Sequence, residues 1–356
     1  MMSDEAIIIK WKAPSNIALI KYWGKKGHQL PENCSLSFSL EKSVTITSHA
    51  FQKKHQPDNR ITLEYYFHGQ RNPSFEKKIA LFLNDLISKM PFLADYMLVF
   101  RSENNFPHST GIASSASSMS ALALCLVSME EIIWQKKLSS DDFFRRASVI
   151  ARLGSGSASR SVYGGLVTWG ESPFVAASSD EYATPFPLSK ESRLRQISDI
   201  ILIVTSKEKK VSSTLGHSLM KQHPFREGRI DQANKNMHQI TLAIRNNDYH
   251  TLAAIAENEA LSLHALLMTS SPDGLLLKPN TLSIIEAIRR FRDQSGLDLF
   301  FTIDAGPNVH LIYFEDQRHL VLPFVKEVLS LFCENGQWID DKIGAGPQLL
   351  TPKIKF

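Results

Sequence analysis

Cysteine is scarce in this chain. Cys34, Cys125 and Cys333 are the only three in 356 residues, and they lie far apart. With no Cys-x-x-Cys pair, neither a disulfide framework nor a cysteine zinc site is suggested. The pattern fits a reducing cytoplasm. An excess of one charge is also missing. Lys plus Arg number 40 against 36 Asp plus Glu, a net charge of +4. That imbalance is too small to argue for nucleic acid, yet it leaves room for a local cationic pocket. No long apolar run occurs near the start, where Ala6–Ile9 follows acidic residues, so no signal peptide is expected. The longest stretch without Asp, Glu, Lys or Arg is Asn104–Met129, and its seven serines argue against a membrane span. Standard motifs are absent too. Gly24-Lys25 is followed by Lys26 and lacks the upstream glycine of a phosphate-binding P-loop. Gly154-Ser155-Gly156 follows a helical pattern, where a dinucleotide fingerprint needs a strand. Neither His-Glu-x-x-His nor a ligand-spaced cluster appears among the twelve histidines, so no metal ligands are assigned.

What is present is a mixed pattern of the length of two domains. Strands are expected at 6–11, 43–50, 60–67, 97–101, 166–169, 199–205, 297–303, 309–314 and 339–343. Helices are expected at 75–90, 115–129, 141–153, 229–246, 248–267, 281–295 and 320–333. The loose segment 171–195, with three prolines and many serines, marks a boundary between domains 1–190 and 191–356. This order points to an α+β class.

One loop looks chemical. Asn104-Asn105-Phe106-Pro107-His108-Ser109-Thr110-Gly111-Ile112-Ala113-Ser114-Ser115 opens the long helix. A helix N-terminus presents unpaired N–H groups and partial positive charge, and small residues let an anion approach. Composition alone serves equally well a Ser-rich cap on a core helix. Asp304, before Ala-Gly-Pro-Asn, reads either as an Asx-turn residue or as a catalytic carboxylate.

The loop resembles the phosphate loop of the GHMP kinase superfamily, with Ser109 where the first glycine would be. Pro-x-x-x-Gly-Ile-Ala-Ser-Ser is similar to the diphosphomevalonate decarboxylase branch. Ser15–Lys25, Gly154–Ser161, Val211–Thr214, Thr302–Asn308 and Gly344–Gln348 resemble it as well, so the likeness spans nearly the whole chain. The resemblance implies a ribosomal-S5-domain-2-like N-terminal domain, a ferredoxin-like C-terminal domain and an active site in the cleft between them. It implies ATP-dependent decarboxylation of 5-diphosphomevalonate to isopentenyl diphosphate, with ATP and Mg²⁺, in a cytoplasmic homodimer. Sister activities are a mevalonate 3-kinase and a phosphomevalonate decarboxylase. A non-catalytic sensor on the same fold is the alternative from another class.

Residue by residue, the resemblance implies Asp304, Lys21, Ser115 and Arg160 as catalytic. Substrate contacts fall on Asn16, Tyr22, Trp23, Gly24, Lys25, Arg71, Ser155, Gly156, Ser157, Ala158, Ser159, Arg160, Ser213 and Thr214. Nucleotide contacts fall on Asn104, Pro107, Ser109, Gly111, Ala113, Ser114 and Ser115.

Overall fold

The computed structural model describes residues 6–56, 58–107, 112–207, 213–270 and 274–351, without the side chains of 213–215. The chain runs β1 (Ile7–Ile20), β2 (Lys25–Lys26), β3 (Leu30–Pro31), β4 (Ser35–Lys53), β5 (Thr62–Phe67), β6 (Gln70–Arg71), α1 (Pro73–Leu86), β7 (Tyr96–Asn104), α2 (Ser114–Trp134) and α3 (Ser140–Gly154). A 3-10 segment, Gly156–Val162, leads into β8 (Leu166–Trp169), β9 (Thr184–Pro185), β10 (Ile197–Leu202) and α4 (Ser213–Leu219). Then come α5 (Arg226–Asn246), α6 (Tyr249–Met268), α7 (Pro279–Ser295), β11 (Leu299–Thr302), β12 (Val309–Phe314), α8 (Arg318–Glu327), β13 (Trp338–Lys342) and β14 (Gln348–Leu349).

Two main sheets result, and the class is α+β. The first orders its strands β14-β1-β4-β7-β5-β6, with β8 also on β4 and β9 on β8. The second is β11-β12-β10-β13, antiparallel throughout. Helix α2 lies between the first sheet and α3. By length and composition it could cross a bilayer, but Leu122, Leu124, Leu126 and Met129 are buried in the core. Its seam explains the charge-free stretch: a helix that is apolar nearly all round must be enclosed.

Strands β1 and β4 are much longer than the expected 6–11 and 43–50. β1 continues to Ile20 through register shifts around Pro14–Asn16 and Ala18–Ile20. Those shifts break the alternation on which a period-2 reading depends. Buried polar residues hide it further. Ser15 Oγ donates to the Ile112 carbonyl at 2.6 Å, and Ser35, Ser37 and Ser39 are buried in β4. Helix α1 ends at Leu86 rather than at 90, and the expected helix 320–333 splits into α8 and short 3-10 turns.

The halves share structure. One apolar cluster joins Ile17, Leu36 and Phe38 to Met237, Ile240, Phe300 and Ile312. Asp341 of β13 accepts the backbone N–H groups of Glu41, Lys42 and Ser43 at 3.0, 2.8 and 2.6 Å. Strand β14 returns to the edge of β1, pairing Trp11 with Leu349 and Lys12 with Gln348.

Candidate active site

A cleft of about 510 Å³ opens where the end of β1, the start of α2, the segment after α3 and the turn after β11 converge. Each approach has a local cause. The Ala113 backbone is left-handed at φ 46°, which turns the incoming loop so that Ser114 starts the helix. Ser114 and Ser115 therefore stand at an N-terminus whose first-turn N–H groups have no intrahelical acceptors. Both line the cleft, as does Ser118 one turn on. No acidic residue occupies that first turn, so its partial positive charge is not offset locally.

Opposite stands a pair of charges. Lys21 Nζ lies 2.5 Å from Asp304 Oδ1. The lysine side chain is only 3% exposed and the aspartate 22%, so the carboxylate is the more open of the two partners. Burial lowers the Lys21 pKa from the ordinary lysine value, and Asp304 and Glu259 oppose that fall. Arg160 is buried beside them. Its Nε donates to Asn16 Oδ1 at 3.2 Å and its Nη1 to Ser35 Oγ, while the guanidinium lies 5.9 Å from the Tyr22 ring centre. Asn16 is fixed in turn, donating to Ser161 Oγ at 2.7 Å and to the Ser157 carbonyl at 3.2 Å. A planar fork held from one side suits recognition of a carboxylate or phosphate from the other.

Tyr22 and Trp23 form an aromatic wall. His217 of α4 stacks on Tyr22 at 4.4 Å and tilts against Trp23 at 4.7 Å, and its Nδ1 accepts the Gly24 N–H at 3.2 Å. Helix α4 approaches so closely that a Cβ on Gly216 would lie 2.4 Å from the Trp23 ring. Burial raises the Tyr22 pKa, so its phenol stays neutral. Lys25 and Lys78 add cationic reach at the rim, and Tyr65, Phe75, Ile79 and Phe82 line an apolar lobe. Among the described residues no group of three or more His, Cys, Asp or Glu side chains could hold a metal. One carboxylate and a few hydroxyls suit Mg²⁺ carried by the phosphates of a nucleotide, which keeps most of its ligands from phosphate and water.

Cations, an anion-binding helix start and one poised carboxylate thus share one cleft. The model of the diphosphomevalonate decarboxylase-like N-terminal domain matches residues 13–181, and that of the mevalonate 5-diphosphate decarboxylase C-terminal domain matches residues 199–349. The chain belongs to the diphosphomevalonate decarboxylase family. It is 31% identical over 320 residues to the Gibberella zeae diphosphomevalonate decarboxylase, covering 86% of this chain and 80% of that one. It is 32% identical over 341 residues to the Ganoderma lucidum protein of the same name, covering 90% and 80%. Among solved structures, the mevalonate diphosphate decarboxylase of Staphylococcus aureus superposes with a TM-score of 0.82 at 29% identity, over 99% of this chain and 100% of that one. An MDDEF complex with MVAPP, AMPPCP and magnesium does so with a TM-score of 0.82 at 28% identity, over 98% and 100%.

For a member of that family, the placement of the expected site residues is uneven. Asn16, Lys21, Tyr22, Trp23, Lys25, Ala113, Ser114, Ser115, Ser155, Ser157, Arg160 and Asp304 all line the cleft. Gly156, Ala158 and Ser159 lie buried beneath it. A Cβ on Gly156 would meet the Trp169 ring at 2.6 Å and Tyr22 Oη at 2.8 Å, so this glycine lets the aromatic wall close. Ser159 Oγ donates to the Gly156 carbonyl at 2.8 Å, tightening the same turn. Gly24 sits behind Lys25 on His217. Asn104 ends β7 and accepts the Thr45 hydroxyl at 2.7 Å, away from the cleft lining, and Pro107 is also outside that lining. Arg71 is not brought to the cleft: it sits 52% exposed on β6, with Nε and Nη2 both bonded to Glu76 at 3.1 Å. Ser109 and Gly111 lie outside the described residues, as do the side chains of Ser213 and Thr214. Sequence reasoning missed His217, Lys78, Gln29 and Thr47, which also line the cleft. Lys78 belongs to an amphipathic helix whose exposed face gave no local signal. His217 stood three positions beyond the Ser213–Thr214 segment already singled out.

Proposed function

We propose that this protein catalyses the ATP-dependent decarboxylation of 5-diphosphomevalonate to isopentenyl diphosphate, releasing ADP, phosphate and carbon dioxide. The observation that carries this reading is the Lys21–Asp304 pair at 2.5 Å facing the N-terminus of α2 across one cleft. It supports a role for that carboxylate in meeting a substrate hydroxyl as it approaches a phosphoryl group. The relatives' names and the MVAPP and AMPPCP complex support it.

Phosphoryl transfer depends mainly on positioning and charge neutralisation. The N–H groups and hydroxyls at Ser114 and Ser115 hold the nucleotide phosphates, with Mg²⁺ arriving on ATP. Asp304 orients the tertiary 3-hydroxyl and takes its proton as the oxygen bonds to the γ-phosphorus and ADP leaves. Lys21 holds Asp304 in place. The C3–O bond then breaks, releasing phosphate with its electron pair. Electrons of the bond to the carboxylate carbon form the new double bond, and carbon dioxide departs. Arg160, clamped by Asn16 and Ser35, holds that carboxylate. Tyr22, Trp23, Lys25, Ser155 and Ser157 receive the diphosphate end, and Arg71, Ser213 and Thr214 belong to the same proposal as residues that would complete it when substrate is bound.

The division near residue 190, a cytoplasmic location and a homodimer are parts of this proposal as well. The segments matched by the two domain families, 13–181 and 199–349, support the first. Buried free cysteines support the second. Purified protein given ATP and mevalonate, its 5-phosphate or its 5-diphosphate, scored for ADP and carbon dioxide, tests the whole. Turnover is expected at least tenfold more efficient with the diphosphate than with the monophosphate, since one charge-assisted contact is worth about 1.5–3 kcal/mol. ADP without carbon dioxide would indicate a 3-kinase, and no ADP with any of the three a sensor.

A further inference from the structure

Lys21 and Asp304 are 283 positions apart and belong to different halves of the chain. Their contact is made by side-chain tips, so something must fix the two backbones. At Lys21, the N–H donates to Glu259 Oε2 at 2.9 Å. The Lys21 carbonyl accepts from Arg229 Nη2 at 3.1 Å and from Asn33 Nδ2 at 3.0 Å. At Asp304, the carbonyl is 3.0 Å from His264 Nε2. A carbonyl only accepts, so that ring nitrogen carries the hydrogen. Glu259 and His264 both sit on α6, five residues or about 7.5 Å of helix apart.

The support is itself rigid. Glu259 is 0% exposed and His264 1%. Arg229 grips Glu259 at 2.7 and 2.5 Å, and Asn236 Nδ2 donates to Glu259 Oε1 at 2.7 Å. None of Glu259, Arg229 and His264 lines the cleft, so none can touch substrate there. Stability does not explain them well, because a buried ion pair is often matched or bettered by apolar side chains of the same volume. What an apolar replacement could not do is hold two peptide groups at a set spacing.

We infer that α6 acts as a spacer between the reacting residues, with Glu259 and Arg229 holding the Lys21 peptide and His264 holding the Asp304 peptide, so that all three are positioning residues for phosphoryl transfer. This rests on the reading that Asp304 and Lys21 meet the reacting hydroxyl. A shift of about 1 Å at such a site can cost on the order of a hundredfold in rate. Substrate binding relies on Arg160 and the aromatic wall. Trp23 of that wall shares an apolar cluster with Leu263, Leu266 and Leu267 of α6, so the variants below change only the polar contacts of Arg229 and His264 and leave that cluster intact.

The test uses the full chain with ATP and 5-diphosphomevalonate. His264→Leu removes the donor, and His264→Gln restores an amide N–H at similar reach. Arg229→Lys keeps a cation facing Glu259 but loses the fork that reaches both Glu259 and the Lys21 carbonyl. His264→Leu and Arg229→Lys are expected to lower kcat at least tenfold, with KM for both substrates within threefold. His264→Gln is expected to recover most of that loss. Melting temperatures on the same preparations separate positioning from packing. Unchanged kcat in His264→Leu would overturn the inference. So would Leu and Gln variants that are equally slow and equally destabilised, which would make His264 a packing residue. Failure of the unaltered protein to release ADP would instead overturn the underlying functional reading, before any variant is compared.

Discussion

Asp304 shows what a single residue's surroundings decide. From sequence it served equally as a turn residue before Gly306-Pro307 or as a base. In the structure the turn is made by its backbone, the carbonyl accepting the Gly306 N–H at 2.6 Å, and the carboxylate is left to meet Lys21. Asp304→Asn keeps the turn and removes the proton acceptor. We expect kcat to fall at least about 10³-fold, with ADP and carbon dioxide release falling together, since phosphorylation must precede loss of the carboxylate. Steady-state kinetics beside thermal unfolding checks this, and a destabilised variant of normal kcat would reduce Asp304 to the turn. Sequence alone leaves Arg160 open between a helix-surface arginine and a carboxylate clamp. Its burial behind Asn16 and Ser35 removes the first option. Arg160→Lys should lose about tenfold or more in kcat/KM, because an ammonium cannot reproduce a planar fork. Partners such as Arg229 and Glu259 were not legible. Charged residues on the patterns of α5 and α6 look like solvated faces until the tertiary arrangement encloses them.

Elements were easier to see than their ends. Strands β8 and β12 and helices α3, α5, α6 and α7 follow periods long enough to read, and turn chemistry marks them. Strand β1 beyond Trp11 and the first half of β4 escaped because their buried faces carry Ser, Asn and Thr satisfied by hydrogen bonds. Alternation of polar and apolar side chains cannot report a strand whose polar residues point inward. Helix α4 is short, and its value lies in what it presses against. Gly216→Ala would bring a methyl group within 2.4 Å of the Trp23 ring. Overpacking of this kind costs about 1–3 kcal/mol. We expect a raised KM for 5-diphosphomevalonate, since Trp23 and His217 must separate, with a smaller effect on the KM for ATP. Initial-rate measurements varying each substrate in turn decide it, and equal changes in both KM values would detach α4 from the diphosphate end.

For the whole molecule, two halves were legible, but their shared core was not. Nothing in local pattern says that Ile17 and Phe38 pack with Met237 and Phe300. One group in the N-terminal core ties global stability to pH. His49 is fully buried against Phe51 and Phe100, and among the described residues its ring nitrogens have no hydrogen-bond partner. Burial pushes its pKa down from 6.5 to about 3. The unfolded chain therefore binds a proton that the folded chain refuses. The resulting stability is fully present above pH 6.5 and falls away as pH drops toward 3. At pH 4.5 that proton alone costs about 3 kcal/mol. Replacing the imidazole by an apolar group of similar size removes this penalty, so His49→Leu should flatten the acid side of a Tm-against-pH curve. Parallel curves for the two proteins would count against it.

The return of β14 to β1 sets an order of events during synthesis. Lys10 and Thr351, bonded at 3.4 Å, are 341 positions apart. At about 5–20 residues per second, β1 leaves the ribosome roughly twenty seconds to a minute before its outer neighbour exists. Through that interval the strand that leads to Lys21 has an open edge, the kind of surface that pairs with other chains. A nascent chain stalled before residue 348 should therefore depend on chaperones more heavily than one released whole.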